Sequence, residues 1–133
     1  MTSKVIYLGD LRTENLHIKS GNSYVTDAPV DNNGKGEAFS PTDTVATALA
    51  SCMLTVMGIK ARDMALDMAG TTAEVKKTMT SNPRRISKIE VILNLPFIAD
   101  DKTKAILERT AYTCPVHYSL HPDIEKDISF NWK

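Results

Sequence analysis

Ser40-Pro41-Thr42-Asp43-Thr44-Val45-Ala46-Thr47-Ala48-Leu49-Ala50-Ser51-Cys52-Met53-Leu54-Thr55-Val56-Met57-Gly58-Ile59 is the stretch that decides the fold of this chain. Its opening is a helix start. Ser40 can cap, Pro41 suits the first helical position, and Asp43 stands where the acid of a capping box stands. No charge follows until Lys60. A helix that is apolar all round is expected to be buried all round. The apolar run is too short and too closely flanked by charge to cross a bilayer, which takes roughly 20 apolar residues. Polarity returns at Lys60, Arg62, Asp63 and Asp67, and Gly70 is the natural stop. The reading is a central helix from Ser40 to about Met68, wrapped by the other elements, with Cys52 near its middle.

A chain of 133 residues suits one compact domain with an ordinary core, here residues 1–133. Its 16 basic and 16 acidic residues are interspersed, so no basic stripe suggests nucleic acid and no acidic arm suggests a disordered tail. Met1 to Lys4 is polar and no signal-peptide core follows, which points to the cytoplasm, where structural disulfides are disfavoured. Two cysteines there read either as inert core thiols or as a redox pair.

Outward from the helix, the N-terminal third reads as an antiparallel meander. Lys4–Leu8 is a strand, Gly9 to Thr13 a turn, Asn15 to Ser20 a half-buried strand, and Ser23 to Thr26 a third strand after the Gly21-Asn22 hairpin signal. Asp27 to Phe39 has turn chemistry and no periodicity, a long loop of the kind that often carries function. Beyond Gly70, Thr71–Thr80 and Ile86–Leu95 form a second hairpin. Asp100 or Asp101 caps a helix through Ala111. Cys114 caps a short helix opened by Pro115, and Asp127–Trp132 is a last strand with Ile128, Phe130 and Trp132 on one face. The order βββ-α-ββ-αα-β, without strict βαβ alternation, implies an α+β fold.

Two cysteines carry the chemistry this pattern allows. A thiol at a helix N-terminus meets unpaired N–H groups and the positive end of the helix dipole, so local physics makes Cys114 the more acidic. Cys52, in mid-helix, gets no such help from its own helix and needs a nearby cation. Among the arginines, Arg62 lies about 15 Å along the helix axis from Cys52 and cannot reach it within one helix. Arg84, Arg85 and Arg109 read as solvated charges, which leaves Arg12, in the first turn, as the free candidate. Cys114, His117 and His121 have the spacing C-x2-H-x3-H, but Pro122 ends the helix and the ligand set is incomplete, so no metal is expected. His17 stands on the polar side of a strand.

Ser40-Pro41-Thr42-Asp43 with Ala48-Leu49-Ala50-Ser51-Cys52, and much later Thr113-Cys114-Pro115-Val116, resembles the OsmC/Ohr family of thiol peroxidases, and the likeness covers almost the whole chain. The entry Asp27-Ala28-Pro29, Gly34 and Ser40-Pro41 is similar to an OsmC-like branch whose members are mostly uncharacterised. The resemblance implies an OsmC-like α+β fold, a long central helix, and an intertwined homodimer with active sites at the subunit interface. It implies that Cys52 attacks a small-molecule hydroperoxide, that Cys114 resolves it, and that an external dithiol resets the pair without a cofactor. It also implies that Arg12 assists Cys52. Peroxidase members carry a Glu just after the Pro that opens the central helix. Here Thr42 stands at that place, and the acid comes one residue later, at Asp43, rotated by about 100° around the helix. The candidate site residues are therefore Cys52, Cys114, Arg12 and Asp43, with Asp43 either a helix cap or the partner of Arg12. Two functions remain open. One is a thiol-dependent peroxidase in oxidative or osmotic stress defence. The other is a dimeric binding or stress-response protein without efficient turnover.

Overall fold

The computed structural model describes all residues from Met1 to Lys133. Its elements run β1 (Ser3–Gly9), β2 (Arg12–His17), β3 (Ser23–Asp27), a 3-10 turn (Val30–Asn32), α1 (Pro41–Asp63), β4 (Thr72–Thr80), β5 (Arg85–Leu95), α2 (Asp101–Ala111), α3 (Pro115–Ser119) and β6 (Glu125–Trp132). The α+β class and the order read from the sequence hold. The chain divides into two compact units, Met1–Val45 and Ala46–Lys133.

The first unit is a three-stranded antiparallel sheet in the order β1-β2-β3. The β1–β2 turn is Asp10-Leu11, both in the left-handed region with φ of 53° and 62°. A tight hairpin needs positive φ there. The second hairpin register sets Leu16 opposite Ser23 and, at its far end, Arg12 opposite Asp27. Arg12 thus opens β2 instead of lying in the preceding turn. The first unit contributes no buried hydrophobic residue, and Val5, Tyr7, Leu8 and Tyr24 are exposed.

The second unit holds the hydrophobic core. Its sheet has the order β4-β5-β6, with β4 antiparallel and β6 parallel to β5. Alternation along β5 turns Ile89, Val91, Leu93 and Leu95 inward, where α1 adds Leu49, Met53 and Met57 and α2 adds Leu107 and Ala111. Burying one such Leu or Met contributes roughly 1.5–3 kcal/mol. The other sheet face is a polar lattice. Lys88 pairs with Glu90 and Asp127, and Asn131 donates to Asn94 across the strands. The parallel β5–β6 step needs a crossover, supplied by α2 and α3.

Three expectations for α1 need correction. The helix ends at Asp63, before Gly70. Ala65 takes φ of 58° and Leu66 N donates to Ala61 O at 2.8 Å, a left-handed C-terminal cap closed without glycine. Nor is α1 buried all round. Ala46, Leu49, Ala50, Met53, Met57 and Ala61 form one buried stripe, while Val45, Ser51, Thr55 and Ile59 are exposed. The length expectation also yields: at 23 residues α1 is long and apolar enough to cross a bilayer, yet its buried stripe packs in the second unit's core, as a core helix does.

Candidate functional site

The residues singled out from the sequence fall into two groups, one in each unit. In the second unit, Cys114 follows α2 and caps α3. Pro115 fixes the first turn, and His117 N donates to Cys114 Sγ at 3.2 Å. Cys114 is fully buried in the core, and Cys52 is half-buried and packs against that core. Both are free thiols, and Cys52 neighbours Cys114 closely enough to raise its pKa. The fold has therefore brought together the two cysteines that the sequence holds far apart.

The expected helix-terminal help to Cys114 is present, but it does not win. Burial pushes the Cys114 thiol above its ordinary value, and the neighbouring Cys52 pushes the same way. The N–H groups of His117 and Val116 offset this only in part. The expectation of a stabilised Cys114 thiolate fails because it counted the helix terminus without the desolvation. The His117 ring supplies no cation either. It packs edge-on to Tyr112 at 5.8 Å, and burial, with Lys126 nearby, lowers its affinity for a proton. His121 accepts from Asp123 N at 3.0 Å, so the two histidines of the C-x2-H-x3-H run engage separate neighbours.

In the first unit, Arg12 is held by two carboxylates. Nε and Nη2 donate to Asp27 Oδ1 and Oδ2 at 2.7 and 2.8 Å, and Nη2 also donates to Glu37 Oε2 at 3.0 Å. The Asp27 side chain is 2% exposed and that of Glu37 63%. The Arg12 guanidinium holds the Asp27 carboxyl below its ordinary range, with help from Glu37 N, which donates to Asp27 Oδ2 at 3.1 Å; burial opposes both. The two carboxylates in turn raise the guanidinium's hold on its proton. A bidentate pair of this kind fixes both the position and the plane of the guanidinium.

The loop after β3 brings Glu37 to this pair. Gly34 N donates to Pro29 O and Gly36 N to Ala28 O, folding the loop back on itself. A Cβ on Gly34 would collide with the Ala28 carbonyl, so only glycine allows the approach. The 3-10 turn Val30–Asn32 lies within this fold-back, and Asp27 N donates to Phe39 O to close it.

Asp43 does what a capping-box acid does. Asp43 N donates to Ser40 Oγ at 3.0 Å and Ser40 N to Asp43 Oδ2 at 2.9 Å. Sequence reasoning missed Asp27 and Glu37 as Arg12's carboxylates. For Asp27 the sequence misdirected: a two-residue turn at Gly21-Asn22 would set Asp27 opposite Leu16, whereas the longer loop of the structure pairs Leu16 with Ser23 and so Arg12 with Asp27. Glu37 carried no signal, because it arrives through an aperiodic loop.

The family model described as OsmC-like protein matches residues 34–129. The chain is similar to the crystal structure of a proposed osmotic stress induced and detoxification response protein from Psychrobacter arcticus 273-4. Identity is 58%, over 98% of this chain and 96% of that one, with a TM-score of 0.96. An OsmC like protein from Mycoplasma pneumoniae superposes with a TM-score of 0.81 at 14% identity, over 98% and 94% of the two chains. An organic hydroperoxide resistance protein from Elizabethkingia anophelis does so with a TM-score of 0.73 at 15% identity, over 100% and 97%. These last two likenesses are of fold. No curated protein matches significantly.

Proposed function

The chain belongs to the OsmC-like protein family, and from that premise we propose that it is a thiol-dependent peroxidase for organic or other small hydroperoxides, serving oxidative or osmotic stress defence. The observation that carries the reading is the Cys52–Cys114 pair, adjacent in space and both free. The Cys52 thiolate attacks the terminal oxygen of R–O–O–H. The O–O bond breaks, Cys52 becomes a sulfenic acid, and the alkoxide takes a proton to leave as an alcohol. Cys114 then attacks the sulfenic sulfur, releasing water and closing the disulfide. An external dithiol restores both thiols. In this reading Arg12, preset by Asp27, meets Cys52 in the assembled protein and steadies charge on the thiolate and the peroxide oxygens. Asp43 holds the N-terminal end of the helix that carries Cys52.

We further read the working form as an intertwined homodimer of single OsmC-like domains, in the cytoplasm, with neither nucleic acid nor membrane as partner. Two features support the dimer. The β1–β3 sheet brings no buried hydrophobe of its own, whereas isolated small sheets need a covered apolar face. The exposed side of α1 opens on a groove of about 450 Å³ lined by Leu54, Gly58, Ile59 and Met68. A second copy covering both is the economical solution.

A second reading, a dimeric binding or stress-response protein without efficient turnover, is favoured by one observation. Arg12 already serves two carboxylates, which oppose its action on a third anion. The test is titration of the reduced protein with cumene hydroperoxide, counting thiols. Loss of both thiols per peroxide, abolished in Cys52→Ser, is expected. Survival of both thiols in excess peroxide refutes the peroxidase and leaves the second reading. Sedimentation at low micromolar concentration checks the dimer.

A further inference from the structure

We propose that reduction of the Cys52–Cys114 disulfide begins at Cys52, so that the reductant is carried as a mixed disulfide on Cys52 while Cys114 leaves into the N-terminal turn of α3. The proposal rests on the reading above only in taking the two cysteines to form a disulfide. A thiolate attacks a disulfide in line with the S–S bond, from the far side of the sulfur it bonds to, so access to that far side decides which sulfur is hit. Cys114 has no exposed surface and sits in the core beside Leu107 and Ala111. Cys52 is half-buried, at the border of that core. Attack at Cys114 would need the core to open. Attack at Cys52 leaves the chain's own core closed.

The departing sulfur has a prepared place. His117 N points at Cys114 Sγ from 3.2 Å. Burial still works against charge on Cys114, which makes it a slow leaving group. Access, not leaving-group quality, sets the direction.

The step balances. A reductant thiol gives up its proton, and its sulfur bonds to Cys52 Sγ. The Cys52–Cys114 bond breaks, and its electron pair leaves on Cys114 Sγ, which then takes a proton. If the reductant is a dithiol, its second sulfur displaces Cys52 as a thiol. The dithiol is oxidised to a disulfide and the protein returns to two thiols.

The experiment forms the disulfide in the full-length protein with diamide, without peroxide, and adds glutathione as the probe. Acid quenching, alkylation and trypsin then place glutathione on one of two peptides, residues 36–60 with Cys52 or residues 110–126 with Cys114. Glutathione on 36–60 with Cys114 alkylated is the expected result. Glutathione on 110–126, an even split, or no disulfide after diamide overturns the proposal. Reaction of glutathione disulfide with the single-cysteine variants gives an independent reading. Cys114→Ser should take up glutathione about tenfold faster than Cys52→Ser, because the protein thiolate attacks glutathione disulfide and the rate follows that attacking thiol's access. Equal rates, or the reverse order, refute it. Because no peroxide is used, the peroxidase reading can fail while this one stands, and the converse.

Discussion

Replacing Asp43 separates a helix cap from a catalytic carboxylate. In the structure Asp43 accepts from Ser40 N at 2.9 Å and donates its own N–H to Ser40 Oγ at 3.0 Å. Ser40 is 1% exposed, so its backbone N–H has no water to turn to. Asp43→Ala removes the acceptor. Leaving a buried donor unpaired costs about 1–3 kcal/mol, and losing a negative charge in the first turn costs about 0.3–1 kcal/mol more. A loss of about 2 kcal/mol should lower Tm by about 6–10 °C in a chain of this size. Asp43→Asn keeps an oxygen for the Ser40 N–H and should lose less than about 1 kcal/mol. Thermal unfolding followed by circular dichroism measures both variants, and cumene hydroperoxide titration measures the thiols. Capping predicts that Asp43→Asn oxidises at the wild-type rate, with Tm order wild type, Asn, Ala. An Asp43→Asn protein with near-native Tm but thiol oxidation slowed tenfold or more would refute the capping account and make Asp43 the partner of Arg12. An Asp43→Ala protein with unchanged Tm would refute the energetics.

Asp27→Asn should weaken the acid sensitivity of the fold. The Asp27 carboxyl is held below its ordinary value, so its stabilisation is present above the unfolded carboxylate pKa of about 4 and is lost as pH falls through the lower folded value. Urea midpoints at pH 7 and pH 3 should converge more in Asp27→Asn than in wild type; equal convergence contradicts the ion pair. Cys114 has the opposite sign. Its thiol is raised by burial, so its contribution is complete below the unfolded thiol pKa of about 8.5 and is lost as pH rises beyond it. Cys114→Ala should flatten the alkaline fall in stability above about pH 9, read from urea midpoints. Leu11→Gly should stabilise by about 0.5–1 kcal/mol, because Leu11 holds φ of 62° in a hairpin turn that favours Asp-Gly; a lower Tm would contradict this.

Much of the fold was legible because local and long-range preferences agree. The period-two pattern of β5, the Asp100 cap of α2 and the Cys114-Pro115 start of α3 all appear where the residues put them. The end of α1 was less legible. The chain leaves the helix through a left-handed alanine, against propensity, once Leu66 N finds Ala61 O. The exposed side of α1 misled for a different reason: apolar composition does not say how much of a helix its own chain covers. At the candidate site, the cysteines were legible as residue types, and their meeting is a property of the fold. The expected acidity of Cys114 failed because burial cannot be read from spacing. Arg12 was chosen by elimination, and its two carboxylates were invisible until a register and a folded-back loop brought them in.

The most direct test of the central claim is to treat reduced Cys114→Ser with one equivalent of cumene hydroperoxide and weigh the Cys52 peptide after trapping with dimedone. The account predicts a sulfenic acid, seen as one dimedone on residues 36–60, and none in Cys52→Ser. An unmodified Cys52 in the presence of intact peroxide would contradict it.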